Sequence, residues 1–211
     1  MIDHLLVRPP DARWLYVLAH GAGAGMRHAF MEDIAQALAA EQVATLRYEF
    51  PYMAAGKKRP DPPAVAVATV RAACAAAREV APDLRLAAGG KSFGGRMTST
   101  ALAAAPEPRV EACVFLGFPL HPAKQPGTKR AEHLPEVPVP MLFVQGTRDA
   151  LAEPALLRPI VADLPRATLH EIDGADHGFA VPRRQQDPRL VIPAMASIVR
   201  RWLDGLPSPS A

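Results

Sequence analysis

The chain has 211 residues, 49% hydrophobic and 21% charged, which is enough for one sizeable core and excludes a chain too polar to fold. Its 24 Lys and Arg stand against 21 Asp and Glu, a net charge of +3 too evenly balanced to suggest a nucleic-acid partner. No apolar run reaches bilayer-spanning length, and the first ten residues lack the zones of a secretory signal; both lead us to expect a cytoplasmic protein with no membrane partner.

Strands and helices alternate along the chain. Ile2 to Val7 reads as an edge strand. Trp14 to Ala19 is an apolar strand ending in His20-Gly21-Ala22-Gly23. His28 to Ala40 carries helical spacing, and Val43 to Tyr48 reads as a strand. A loop, Glu49 to Pro63, contains the basic run Lys57-Lys58-Arg59, read as a solvated loop or a handle for an acidic group. Ala64 to Val80 is an Ala-rich helix. Leu84 to Ala88 is a strand running into glycines, and Phe93 to Ala105 a helix that stops before Pro106. Val110 to Leu116 and Met141 to Val144 are strands, separated by the long connection Gly117 to Pro140. A connection of this length is often functional or lid-like. Pro154 to Leu164 is helical, Ala167 to Ile172 a strand, and Arg189 to Leu203 a final helix.

The central strands are apolar on both faces, as strands covered on both sides are. We therefore expect a three-layer α/β/α sandwich on a mostly parallel sheet, with little or no cap. It would form one domain over residues 1–205, with a disordered tail at 206–211 ending in Pro-Ser-Pro-Ser-Ala. Cys74 and Cys113 show no metal spacing and read as buried free thiols, although the sequence does not exclude a disulfide between them. No cofactor and no metal are expected.

Gly90-Lys91-Ser92-Phe93-Gly94 is the chemically informative stretch. Gly-x-Ser-x-Gly between a strand and a helix forms a nucleophile elbow, a strained turn that exposes the serine. The flanking positions lie so close to neighbouring backbone that they must be glycine-sized. Two nucleotide-binding patterns fail here. A P-loop ending at Gly90-Lys91-Ser92 needs glycine at position 85, which is Arg85, and a dinucleotide fingerprint from Gly21 and Gly23 needs glycine at position 26, which is Met26.

His177, after the last strand, is placed to act as general base for Ser92, and Asp149, after Met141 to Val144, to orient that histidine. Asp173 and Asp176 are too near His177 in sequence for the orienting role; Asp176 is expected to shape its loop. The tetrahedral oxyanion needs donors worth about 3 kcal/mol apiece. Backbone N–H groups of Phe93 and Ala22 are the candidates, with Gly23 as second choice for the latter. His20 is expected to hold that loop by hydrogen bonds. Gly23, Phe50, Tyr52, Met53 and Phe118 are candidates for lining the pocket, or alternatively for core and loop anchoring. Lys91, Arg96, Lys124 and Arg148 are candidates for favouring a carboxylate or phosphate; Lys91 and Arg96 also read as helix-surface charges.

These features, Ala19-His-Gly, Gly90-x-Ser92-x-Gly94, Gly146-x-x-Asp149 and Asp176-His177, resemble the α/β-hydrolase superfamily along almost the full chain. More narrowly, four stretches resemble small lidless bacterial proteins related to dienelactone hydrolases and to the hydrolase-like domain of a non-specific-lethal complex subunit. They are Ala19-His-Gly-Ala-Gly-Ala-Gly-Met26, Phe50-Pro-Tyr-Met53, Gly89-Gly-Lys-Ser-Phe-Gly-Gly-Arg96 and Gly117-Phe-Pro-Leu-His121. The resemblance implies a serine hydrolase acting on a small acyl substrate, an ester or thioester, through an acyl-enzyme. Dienelactone hydrolases carry cysteine at the nucleophile, where this chain has Ser92. The resemblance also admits a non-catalytic interaction domain, or a peptidase or transacylase using the same triad. The oligomeric state is not legible in these residues.

Overall fold

A computed structural model describes residues 2–182, 184 and 187–207. Seven strands form one sheet: β1 (His4–Val7), β2 (Trp14–Ala19), β3 (Val43–Tyr48), β4 (Arg85–Lys91), β5 (Val110–Leu116), β6 (Met141–Gly146) and β7 (Ala167–Ile172), in the order β1-β3-β2-β4-β5-β6-β7. Only β1 runs antiparallel, against β3. The helices are α1 (Ala29–Ala40), α2 (Pro51–Ala54), α3 (Pro63–Val80), α4 (Phe93–Ala104), α5 (Pro154–Ala162) and α6 (Val191–Asp204).

Strand period explains the layering. On β2, Trp14, Tyr16 and Leu18 face one way and pack with Met31, Ile34 and Leu38 of α1 and Met195 and Val199 of α6. Leu15, Val17 and Ala19 face the other way and pack with Val70, Ala73 and Ala77 of α3, Met97 and Ala101 of α4, and Leu157 and Val161 of α5. This is the expected three-layer sandwich. The chain adds β3 on one side of β2 and then returns to place β4 on the other. The C-terminal ends of β2 and β4 thus flank a topological switch point, where open α/β sheets leave a crevice.

Several expectations shift. Strand β4 continues through both glycines to Lys91, so Lys91 lies on a strand end and not on a helix surface. Gly89 and Gly90 pair with Leu18 and Ala19 of β2. His28 lies outside α1 and caps it, its Nδ1 accepting from Phe30 N–H at 3.2 Å. The Glu49–Pro63 loop contains α2, whose Tyr52 N–H donates to Asp61 Oδ2 at 2.9 Å. The long connection 117–140 is not loose: its 3₁₀ turns at Lys129–Ala131 and Leu134–Glu136 bury Ala131 and Leu134 in the core with Met97 and Leu102 of α4. Leu206 and Pro207 do not lie in a free tail, because their carbonyls accept from Arg85 at 3.4 and 2.7 Å. The rest of the expected tail, 208–211, lies outside the described residues. Both cysteines are free and buried, and burial pushes the Cys74 thiol up to about 12.

Among the described residues, no helix is long and apolar enough to cross a membrane, and no group of three His, Cys, Asp or Glu side chains is placed to hold a metal ion.

Candidate active site

Ser92 sits between β4 and α4 with φ 50° and ψ −115°. Such a backbone costs about 1–3 kcal/mol and persists only where its surroundings impose it. Here Ser92 N–H donates to Leu116 O at 3.1 Å, and the Ser92 carbonyl accepts from Arg96 N–H at 3.1 Å. The side chain is lifted off both the strand and the helix.

His177 follows β7 in a loop held by Asp176, whose Oδ1 accepts from Gly178 and Ala180 N–H at 2.8 and 2.9 Å. Its Nε2 lies 2.8 Å from Ser92 Oγ, and its Nδ1 lies 2.7 Å from Asp149 Oδ2. Asp149 is buried beyond β6, and Leu151 N–H donates to its Oδ1 at 2.8 Å. Asp149 accepts a hydrogen bond from Nδ1–H, and this tautomer leaves the Nε2 lone pair for the serine hydroxyl. Three side chains from three separate strand ends thus form one hydrogen-bonded chain.

A second serine–histidine contact exists but is differently built. Ser99 Oγ lies 2.7 Å from His133 Nε2, yet Ser99 is wholly buried and its hydroxyl donates to Arg96 O at 2.9 Å. Among the described residues no carboxylate orients His133.

A cleft of about 390 Å³ opens over Ser92 and His177, walled by Gly21, Ala22, Gly23, His28, Phe30 and Leu151. No residue of 117–140 lines it. The N–H groups of Ala22 and Phe93 make no backbone hydrogen bond among the described residues. The Ala22 carbonyl is pinned by Tyr52 Oη–H at 2.9 Å. His20 braces the same loop. Its Nδ1 donates to Gly21 O at 2.8 Å, and its Nε2 accepts from Phe50 N–H at 3.0 Å. Glu49 Oε1 also lies 2.8 Å from Nε2, but burial lowers the His20 pKa more than Glu49 raises it, which favours the neutral ring. Glu49 takes its donor from Met26 N–H at 3.2 Å.

Of the residues expected to line the pocket, Gly23 does so, whereas Tyr52, Met53 and Phe118 are corrections. Tyr52 is buried and acts on the cleft through the Ala22 carbonyl. Met53 packs against the core. Phe118 is wholly buried with its ring between Phe115 and Phe143, 5.4 and 5.6 Å away, because the tight turn after β5 folds it inward. Phe50 is buried as well and packs on His20.

One polar residue, Gln145, escaped the sequence reading, and a second, Lys91, was read as a site cation or a surface charge but not as a buried one. Gln145 ends the apolar strand β6; its Oε1 accepts from Phe118 N–H at 2.8 Å, and its Nε2 donates to Asp149 Oδ2 at 2.5 Å. A lone glutamine in an apolar run, four residues before a candidate acid, was the available signal. Lys91 is buried in the cleft wall, with Nζ donating to His177 O at 2.6 Å and standing 5.3 Å from the Phe179 ring centre. Burial lowers its pKa to about 8, against the opposing charges of Asp149 and Asp176.

Between about pH 8 and 10.5 the unfolded chain keeps a proton that folded Lys91 has released, so stability rises with pH across this window. The upper bound is about 3 kcal/mol. Lys91→Met is expected to abolish this rise, measured as wild type minus variant by urea unfolding at pH 7.5 and 9.5. A pH-independent difference would remove the buried charge from the account.

Similarity to known proteins agrees with this arrangement. Residues 12–203 match the family model described as an alpha/beta hydrolase domain. An alpha-beta serine hydrolase homologue from Coxiella burnetii superimposes with a TM-score of 0.75 at 17% identity, covering 95% of this chain and 90% of the other. A dienelactone hydrolase from Anabaena variabilis gives 0.74 at 22% identity, covering 95% and 90%. A lidless serine hydrolase from Xanthomonas campestris gives 0.72 at 22% identity, covering 98% and 91%. At these identities the structures speak for the fold, and the family match extends over nearly the whole chain: this protein belongs to the alpha/beta hydrolase family.

Proposed function

We propose that the protein is a serine hydrolase that cleaves a small acyl substrate, a carboxylic ester or thioester, through an acyl-enzyme. The observation that carries this reading is the Ser92–His177–Asp149 chain, with contacts of 2.8 and 2.7 Å at the mouth of the cleft. Ser92 Oγ attacks the acyl carbon while His177 Nε2 takes its proton. The oxyanion that forms is received by the N–H groups of Ala22 and Phe93. His177 then gives the proton to the departing alcohol or thiol. Water repeats the sequence in reverse and releases the acid. Asp149 keeps the imidazole in the working tautomer, and Gln145 holds Asp149.

The cleft is uncovered by the long connection, which suits short acyl groups better than long lipid chains. The test is labelling of the folded protein with a fluorophosphonate, followed by peptide mapping. One adduct at Ser92, absent in Ser92→Ala and weakened in His177→Ala, is expected. Folded protein that takes no label would instead act as a non-catalytic scaffold.

A further inference from the structure

Lys91 is the last residue of β4 and immediately precedes Ser92, so it shares the strand end that delivers the nucleophile. Pairing with Leu116 of β5 fixes its main chain. Its side chain lies in the cleft wall and the residue is 9% exposed. The ammonium is flanked by the rings of Phe179 and Phe30, with centres 5.3 and 5.8 Å away, and those rings stack on each other at 5.9 Å. The turn after β5 closes in as well: a Cβ added at Gly117 would lie 3.0 Å from Nζ. In this enclosure the ammonium makes one hydrogen bond among the described residues, to the His177 carbonyl at 2.6 Å.

That carbonyl belongs to a loop whose other main-chain bonds close on the loop itself. Phe179 N–H donates to Asp176 O at 3.0 Å, and Asp176 N–H to Ala180 O at 3.0 Å. The Asp176 carboxylate gathers the N–H groups of Gly178 and Ala180. Among the described residues, the bond from Lys91 is the one hydrogen bond between the main chain of 176–180 and another element. The His177 ring has to be held on two sides at once, 2.7 Å from Asp149 Oδ2 and 2.8 Å from Ser92 Oγ. A ring that drifted with its loop would lose both contacts, and a misplacement of about 1 Å costs on the order of 10²-fold in rate. A charge-assisted hydrogen bond is roughly twice as strong as a neutral one, which suits a single brace.

We propose that Lys91 is a positioning residue: by donating to the His177 carbonyl it ties the base-bearing loop to the strand end that carries Ser92, and so sets the spacing between base and nucleophile. In this role it touches no reacting atom. The effect on rate rests on the hydrolase reading above; the brace does not.

Steady-state kinetics of Lys91→Met with 4-nitrophenyl acetate test it. Methionine keeps an unbranched, adaptable stem and loses the donor. His177 serves both formation and hydrolysis of the acyl-enzyme, so both half-reactions slow together. The expected result is a kcat lower by about 10- to 100-fold, with KM within about twofold of wild type. Lys58→Met, a change at an exposed lysine, should leave both constants alone. A kcat within about twofold of wild type overturns the brace. So does a rise in KM at constant kcat, which would make Lys91 a substrate contact. If the methionine variant does not fold, Lys91→Ala, which adds no volume, is read by its kcat in the same way.

A wild type that neither takes the fluorophosphonate nor turns over the ester sinks the hydrolase reading and leaves the brace to be judged by NMR. The long-range proton–nitrogen correlations of the neutral His177 imidazole, assigned by their loss in His177→Ala, report which nitrogen carries the proton. Nδ1–H should dominate in wild type, and the two tautomers should mix in Lys91→Met as the ring leaves Asp149. An identical tautomer ratio in the two proteins overturns the proposal.

Discussion

Ser92→Ala is expected to lower kcat/KM for an activated ester by about 10⁴- to 10⁶-fold, with the fold and melting temperature nearly unchanged. The hydroxyl is small and half-exposed, so little packing is lost. Its removal takes away the atom that carries the acyl group in the proposed mechanism. His177→Ala is expected to cost as much, because the hydroxyl without its base is a poor nucleophile.

The informative measurement is the double variant. Three groups joined by contacts of 2.8 and 2.7 Å act as one unit, so Ser92→Ala/His177→Ala should be no slower than either single change, within about threefold. Asp149→Asn should be damaging too, by on the order of 10⁴-fold. The amide introduced by that change would, in one orientation, turn a donor toward both His177 Nδ1 and the Gln145 amide, and in the other it would face Leu151 N–H with a donor. Multiplicative losses in the double variant, or a Ser92→Ala enzyme within tenfold of wild type, would sink the reading of these residues as a proton-transfer chain.

Gly90→Ala should give a large loss of stability. A Cβ at Gly90 would lie 2.2 Å from Ala19 O and 2.8 Å from both Ala19 N and Cβ. These atoms belong to a paired strand in mid-sheet, so no side-chain rotation relieves the clash. The φ of +149° adds strain for any residue with a Cβ. Overpacking of about 1–3 kcal/mol and backbone strain of similar size combine to about 4 kcal/mol. For a chain of this length that corresponds to a fall of roughly 10 °C in Tm. Gly23→Ala is the control: nothing lies within 4 Å of its added methyl, so its Tm should match wild type. A Gly90→Ala protein melting within 2 °C of wild type would show that β2 and β4 are not packed as described.

The order of elements was legible along the chain because the two periods, two and 3.6, leave different marks. The apolar runs at Trp14, Val110 and Met141 lie on β2, β5 and β6 because helices cover both faces of the sheet. Strand β4 read short because Gly89 and Gly90 carry no side chain to mark the period. Only pairing with β2 and β5 shows that they belong to the sheet.

Ser92, His177 and Asp149 were nameable from sequence because each occupies a turn after a strand, and parallel strands deliver such turns to one edge. That their atoms meet at hydrogen-bonding distance is a property of the closed sheet. The cleft lining was mostly not legible. Burial depends on which way a turn folds, and local pattern does not record it. Phe118 and Tyr52 have the chemistry of pocket residues and point into the core, while Lys91 has the chemistry of a surface residue and is buried against the His177 loop. Local period and chain order were enough for the layers and for naming Ser92, His177 and Asp149, which the sheet brings together. Which cation is buried in the cleft wall and which aromatics face the cleft came only from the folded chain, because both depend on contacts between residues far apart along it.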